Sequence, residues 1–149
     1  MKPDEYFTPE EKQKILAAIA QAEKETSGEI RVHIEKDCKT DVLDRAAYLF
    51  AMLGMHKTRL RNGVLIYVAL EDRKFAILGD AGINAKVPTG FWDHVSEVMV
   101  SFFREGKLAE GLSEGIRLAG EQLKQYFPWQ EGDDNELADD ISYGEETEK

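Results

Sequence analysis

The sequence predicts an α/β fold, a three-layer α/β/α sandwich around a small mixed sheet with about four main helices. Three observations carry that expectation. Glu29 to Glu35 alternates apolar and polar residues, Val64 to Leu70 is seven residues without a charge, and Glu71-Asp72-Arg73-Lys74 is a charged turn leading into Phe75 to Leu78. Around these strand signals lie four stretches whose apolar residues recur at helical spacing.

The first helix opens at Thr8-Pro9-Glu10-Glu11, where a hydroxyl at the N-cap, a proline at N1 and a carboxylate at N3 make a capping box. Ile15, Ala18, Ile19 and Ala22 form its buried stripe, and Thr26-Ser27-Gly28 ends it. In the strand that follows, Ile30, Val32 and Ile34 share one face. Glu29, Arg31, His33 and Glu35 share the other, so the strand is expected near an edge with one wetter side. Asp41 caps a second helix bearing Leu43, Ala46, Ala47, Phe50 and Leu53, and Gly54 stops it. The uncharged run Val64 to Leu70 suits a central strand covered on both faces. Beyond Gly79-Asp-Ala-Gly-Ile-Asn84, read as a polar loop, Pro88 opens a third helix with Phe91, Trp92, Val95, Val98, Met99, Phe102 and Phe103. A fourth carries Leu108, Leu112, Ile116, Ala119 and Leu123 and ends at Pro128; its Gly111, Gly115 and Gly120 mark close backbone packing.

Strand, helix, strand in that order is a βαβ unit, expected to form a right-handed crossover between parallel strands, with the third strand returning antiparallel. That topology brings three loops to one end of the sheet: Ser27-Gly28-Glu29, Arg61-Asn62, and Gly79 to Asn84. The opposite end gathers Glu35, Lys36 and Asp37 with the hairpin tip Glu71, Asp72 and Arg73.

At 149 residues the chain suits one domain, residues 1–130, followed by an acidic tail, 131–149. The tail holds nine acids and one lysine, a net of −8 against −10 for the whole chain, which leaves −2 for the body. A nearly neutral body lacks the clustered basic face that phosphate backbones require, so nucleic acid is not an expected partner. The single Cys38 permits no internal disulfide and points to a reducing, cytoplasmic setting. Neither the opening MKPDEYFTPEE nor any later run has the apolar length to cross a bilayer, so no membrane is expected. A monomer is the expected state, and removing residues 131–149 is expected to leave the fold intact.

The order and spacing of several segments resemble the TPM domain family: Asn62-Gly63-Val64-Leu65, the Asp72-Arg73 turn, Gly79-x-x-Gly82-Ile83, the Pro88 region, and Phe103-Arg104-Glu105-Gly106 with Gly111 and Gly115. The opening FTPEEKQKILAAIAQAEKETSGEIRVHIE, MHKTRLRNGV and the DDNELADDISYG tail look like a compact bacterial subgroup without membrane anchors. The resemblance covers nearly the whole chain. It implies an α/β/α sandwich, calcium or magnesium binding, and an acid-phosphatase-like label attached to thylakoid-lumen members linked to photosystem repair. Many members have Gly-Leu-Glu where this chain has Gly82-Ile83-Asn84, one carboxylate fewer.

Hard dications take several oxygen ligands from carboxylates, amides and backbone carbonyls, and Asp80, Asn84, Asn62 and Glu29 offer them at the converging loops. The same residues also suit plain turn roles, with Glu29 solvated. Ca²⁺ or Mg²⁺ is thus the expected ligand of an interaction module, which leaves room for a protein partner. The alternative is a weak metal-dependent acid phosphatase, in which Arg59 and Arg61 hold the phosphate.

Other signals are set aside. Gly111-Leu-Ser-Glu-Gly115 matches the nucleophile-elbow pattern but sits inside a helical stripe, not a strand-to-helix turn. Cys38 reads as a structural cysteine, and His33, His56 and His94 share no ligand spacing. Glu35, Asp37, Asp41, Glu71 and Asp72 gather more carboxylates at the other end, but the lysines and arginines among them favour salt bridges. Asp133 to Asp140 lacks the glycine and terminal glutamate of a calcium loop, and is read as a solvated segment pinned by Trp129, Leu137, Ile141 and Tyr143.

Overall fold

The computed structural model describes residues 2–130 and 141–144. Within them a four-stranded mixed sheet lies between two unequal helical layers. Helix α1 (Pro9–Glu23) begins at the predicted box, with the Glu11 amide donating to Thr8 Oγ1 at 3.1 Å and the Thr8 amide to Glu11 Oε1 at 2.8 Å. Strand β1 (Glu29–Glu35) leads into α2 (Val42–Met52), capped by Asp41, whose Oδ1 accepts from the Leu43 and Asp44 amides. Gly54, at φ 72°, supplies the left-handed turn that ends it.

Strand β2 (Gly63–Ala69) runs parallel to β1, with Glu29 opposite Gly63 and Glu35 opposite Ala69. Strand β3 (Lys74–Gly79) returns antiparallel, pairing Val64 with Gly79 and Ala69 with Lys74. After it come α3 (Ala81–Asn84), α4 (Phe91–Phe103), α5 (Leu108–Tyr126) and β4 (Ile141–Tyr143).

The sheet order is β3-β2-β1-β4, so β2 is internal and buried along its whole length, as its lack of charge requires. On one face Ile30, Val32, Ile34, Val64, Ile66 and Val68 meet α1, α4 and α5 through Ile15, Ile19, Met99, Leu112 and Ile116. On the other, Leu65, Tyr67 and Ala69 meet α2 through Ala46, Leu49 and Phe50. The glycines of α5 are close-approach positions: a Cβ on Gly111 would stand 2.5 Å from Phe103, on Gly115 2.5 Å from Met99, and on Gly120 2.8 Å from Ala22. Three expectations need correction. Strand β1 is not an edge, because β4 pairs with it in parallel, Val32 opposite Ile141 and Ile34 opposite Tyr143. Its polar face is not wet, since Glu29, His33 and Glu35 are buried, Glu35 against Arg45 of α2 and His33 against Ser142 of β4. The polar loop after β3 is a short helix with Asp80 at its N-cap. Trp129 is half exposed rather than a pin, Ile141 is buried, and Leu137 with the acidic run Asp133 to Asp140 lies outside the described residues.

Candidate functional site

The three loops expected to meet at the entrance of β1 and β2 do meet there. The Glu29 amide donates to the Asn62 carbonyl at 3.3 Å, the Asp80 amide to the Gly63 carbonyl at 2.9 Å, and the Gly82 amide to the Arg61 carbonyl at 2.8 Å. Gly82 is required by this closeness, because a Cβ there would fall 2.1 Å from the Leu60 carbonyl oxygen.

At the centre is an ion pair. Arg61 Nε donates to Asp80 Oδ2 at 2.7 Å and Nη2 to Oδ1 at 2.8 Å, while Oδ1 also accepts from the Ala81 amide at 2.7 Å. Arg61 holds a left-handed conformation, φ 53°, that side chains rarely adopt, and from it the guanidinium closes on the carboxylate. The Asp80 side chain is 6% exposed and that of Arg61 51%. Burial by itself would raise the Asp80 carboxyl. The Arg61 and Ala81 hydrogen bonds, with the charges of Arg61 and His56, outweigh burial and hold it below the usual range.

The other expected oxygen ligands lie close by but are differently engaged. Asn62 donates through Nδ2 to Ser27 Oγ at 3.3 Å, and its buried Oδ1 accepts no hydrogen bond among the described residues. Asn84 spans the last turn: Nδ2 donates to the Gly79 carbonyl at 2.7 Å, and Oδ1 accepts from Trp92 Nε1 at 2.8 Å. Glu29 is 1% exposed, which corrects the solvated reading. Continuing the strand alternation puts Glu29 and Asp80 on the α2 side of the sheet and Asn62 on the side of α1, α4 and α5, where Asn84, on α3, also meets Trp92 of α4. The four therefore do not share one face as folded. A dication reaches Asp80 only by displacing Arg61, and among the described residues no group of three or more His, Cys, Asp or Glu side chains is arranged to hold a metal. Arg59 is exposed in the connecting loop, and Arg61, the other expected phosphate ligand, is committed to Asp80.

Glu35, expected among the salt-bridged carboxylates at the other end of the sheet, is buried at the centre of a polar cluster whose other members the sequence did not reveal. Glu35 accepts from Tyr67 Oη at 2.7 Å and from Arg45 Nε at 3.0 Å, and its other oxygen meets Arg45 Nη2 and lies 3.2 Å from His33 Nε2. His33 Nδ1 in turn lies 2.6 Å from Ser142 Oγ on β4. Burial would raise the Glu35 carboxyl, but hydrogen bonds from His33, Arg45 and Tyr67 bring it down to about 2. Burial and the Glu35 carboxylate push the Tyr67 hydroxyl well up. The available signal was Tyr67 itself, a hydroxyl within an uncharged central strand that needed a buried acceptor opposite it. Cys38 is buried and its thiol donates to the Thr40 carbonyl at 3.2 Å, in keeping with a structural cysteine.

A family model described as the TPM domain matches residues 1–122. Among solved structures, the chain is similar to the BA42 protein of the psychrophilic bacterium Bizionia argentinensis: 50% identity, TM-score 0.86, covering 93% of this chain and 95% of that one. The N-terminal domain of a protein from P. gingivalis shares the fold at 21% identity and TM-score 0.67, covering 81% and 78%. The N-terminal domain of the cg2496 protein of Corynebacterium glutamicum does so at 14% identity and TM-score 0.63, covering 78% and 74%. No curated protein matches the chain. No helix among the described residues is long and apolar enough to cross a membrane.

Proposed function

We propose that this chain, which belongs to the TPM domain family, is an interaction module whose loop end at Glu29, Asn62, Asp80 and Asn84 responds to Ca²⁺ or Mg²⁺, with Asp80 as the principal ligand. The observation that carries the reading is the asymmetry of the Asp80–Arg61 pair. A buried carboxylate is kept ionised by a counter-cation that is itself half in water. Exchanging that guanidinium for a dication keeps the buried charge compensated, so the exchange is physically accessible where simple removal of Arg61 is not. Asn62 Oδ1 is a further hard oxygen at this end, but it lies on the other face of the sheet and joins the same ion only if the loops rearrange. Release of Arg61 changes both the charge and the shape of this end, which is how a cation would alter recognition of a protein partner.

A phosphatase reading has less support, since Arg61, one of its two expected phosphate ligands, is already neutralised by Asp80. Titrating the protein with Ca²⁺ and Mg²⁺ under NMR observation tests the proposal. Shifts should centre on residues 27–29, 60–63 and 79–85 and vanish in Asp80→Ala. An unshifted loop end in the wild type sinks it.

A further inference from the structure

At the opposite end of the sheet, a cleft of about 630 Å³ opens between the β2–β3 hairpin and the junction of α4 with α5. Its volume falls within the roughly 300–1,000 Å³ typical of small-ligand sites. The floor is apolar and half-buried: Phe75 and Phe103 meet edge to face at 5.3 Å, with Val100 and Leu108 beside them. The rim carries three exposed cations, Arg73, Lys74 and Arg104.

Two features of that rim go against the trend of the chain. The sequence holds 29 acids against 19 lysines and arginines, yet none of the three side chains forms a hydrogen bond or ion pair with a described residue. The neighbouring acids are engaged elsewhere: Glu71 accepts from Tyr6 Oη at 2.7 Å, Asp72 from the Cys38 amide at 2.8 Å, and Glu105 pairs with Lys107 at 3.3 Å. Arg73 also occupies a left-handed position, φ 53°, where glycine or asparagine costs less. Strained backbone retained at a cationic rim is the kind of outlier that binding sites hold.

We propose that this cleft binds a single-chain amphiphilic carboxylate, its alkyl body laid over Phe75 and Phe103 and its head group held by Arg73 and Arg104, while Lys74, opposite Ala69 and so turned to the α2 face, adds only its charge. The apolar floor requires a body that leaves water, and planar guanidinium groups suit a carboxylate as hydrogen-bond acceptor. This site is separate from the Asp80 end and does not depend on the cation reading.

The test is an NMR titration of the full chain with decanoate below its micellar concentration, beside acetate and decyltrimethylammonium. Decanoate should shift residues 68–75 and 100–108, with both controls at least about tenfold weaker. Arg73→Gln with Arg104→Gln, both at exposed positions, should weaken decanoate about tenfold or more without changing the melting temperature by more than a degree or two. Acetate as effective as decanoate would reduce the site to a charge patch, and the cationic amphiphile as effective would reduce it to a greasy surface. Either result overturns the proposal. So does stronger binding at these residues by a peptide of residues 131–149, which would mark a groove for acidic peptide.

Discussion

Arg61 closes on Asp80 with two nearly equal hydrogen bonds, 2.7 and 2.8 Å, from a backbone conformation that disfavours arginine. The pair joins the loop before β2 to the cap of α3, so the residue that stabilises the carboxylate also stands between it and any dication. Substituting Arg61→Gln removes that competitor. Calcium and magnesium midpoints should then fall about tenfold while the apo protein melts lower. Calorimetric titration of wild type and variant decides it, and unchanged or weaker cation binding in Arg61→Gln would argue that Asp80 is only a structural cap.

The Glu35 cluster makes stability depend on acid. Its carboxyl titrates at about 2 folded, against an ordinary value of 4.5. As pH falls the unfolded chain takes up the proton first, so the contribution is fully present above about pH 4.5 and is lost towards pH 2. A shift of that size corresponds to about 3 kcal/mol. Glu35→Gln should destabilise the protein by roughly that amount at pH 7 and flatten the stability profile between pH 5 and pH 2, as followed by urea unfolding.

Gly82 and Gly106 should answer differently to alanine. At Gly82 the new methyl would lie 2.1 Å from the Leu60 carbonyl oxygen and 2.6 Å from that of Arg61, so the loop must move and with it the Asp80 pair. The expected loss is roughly 1–3 kcal/mol. At Gly106 there is open space but φ is 76°, and the cost is the left-handed backbone alone, about 1 kcal/mol. Thermal melts of the two variants measure the difference, and equal losses would contradict the close packing at Gly82.

Removing residues 131–149 takes away β4, so the fold expected to survive the truncation should survive it at reduced stability. Ile141 leaves the core, at a cost of about 2 kcal/mol, and Ser142 leaves His33. The truncated protein should still unfold cooperatively but melt roughly 5 °C lower or more. The bared edge of β1 should also promote self-association. Light scattering and melting curves check both, and a monomer with an unchanged melting temperature would show that β4 adds nothing.

Most helices and strands were legible because they are written in local patterns. The Thr8 and Asp41 caps, the uncharged run of β2 and the glycines of α5 each state a requirement that holds wherever the segment sits. The candidate site was legible only as a convergence of loops. Topology carries Glu29, Asn62 and Asp80 to one end, but whether side chains share a face depends on register, and a shift of one residue reverses every side chain. The Glu35 cluster was missed for a related reason: alternating charges on β1 describe a wet face unless something covers it.

By itself the sequence determined the order of the four long helices and the first three strands, the internal position of β2, and the need for close contact at Gly111, Gly115 and Gly120. All follow from propensity, hydrophobic period and the lack of a side chain, which are properties of short segments. Only the tertiary structure decided that Arg61 neutralises Asp80, that β4 turns β1 into an interior strand, and that Glu35 is buried with its partners. These depend on which distant segments exclude water from a given charge, and a charge changes its role once its neighbours replace the solvent.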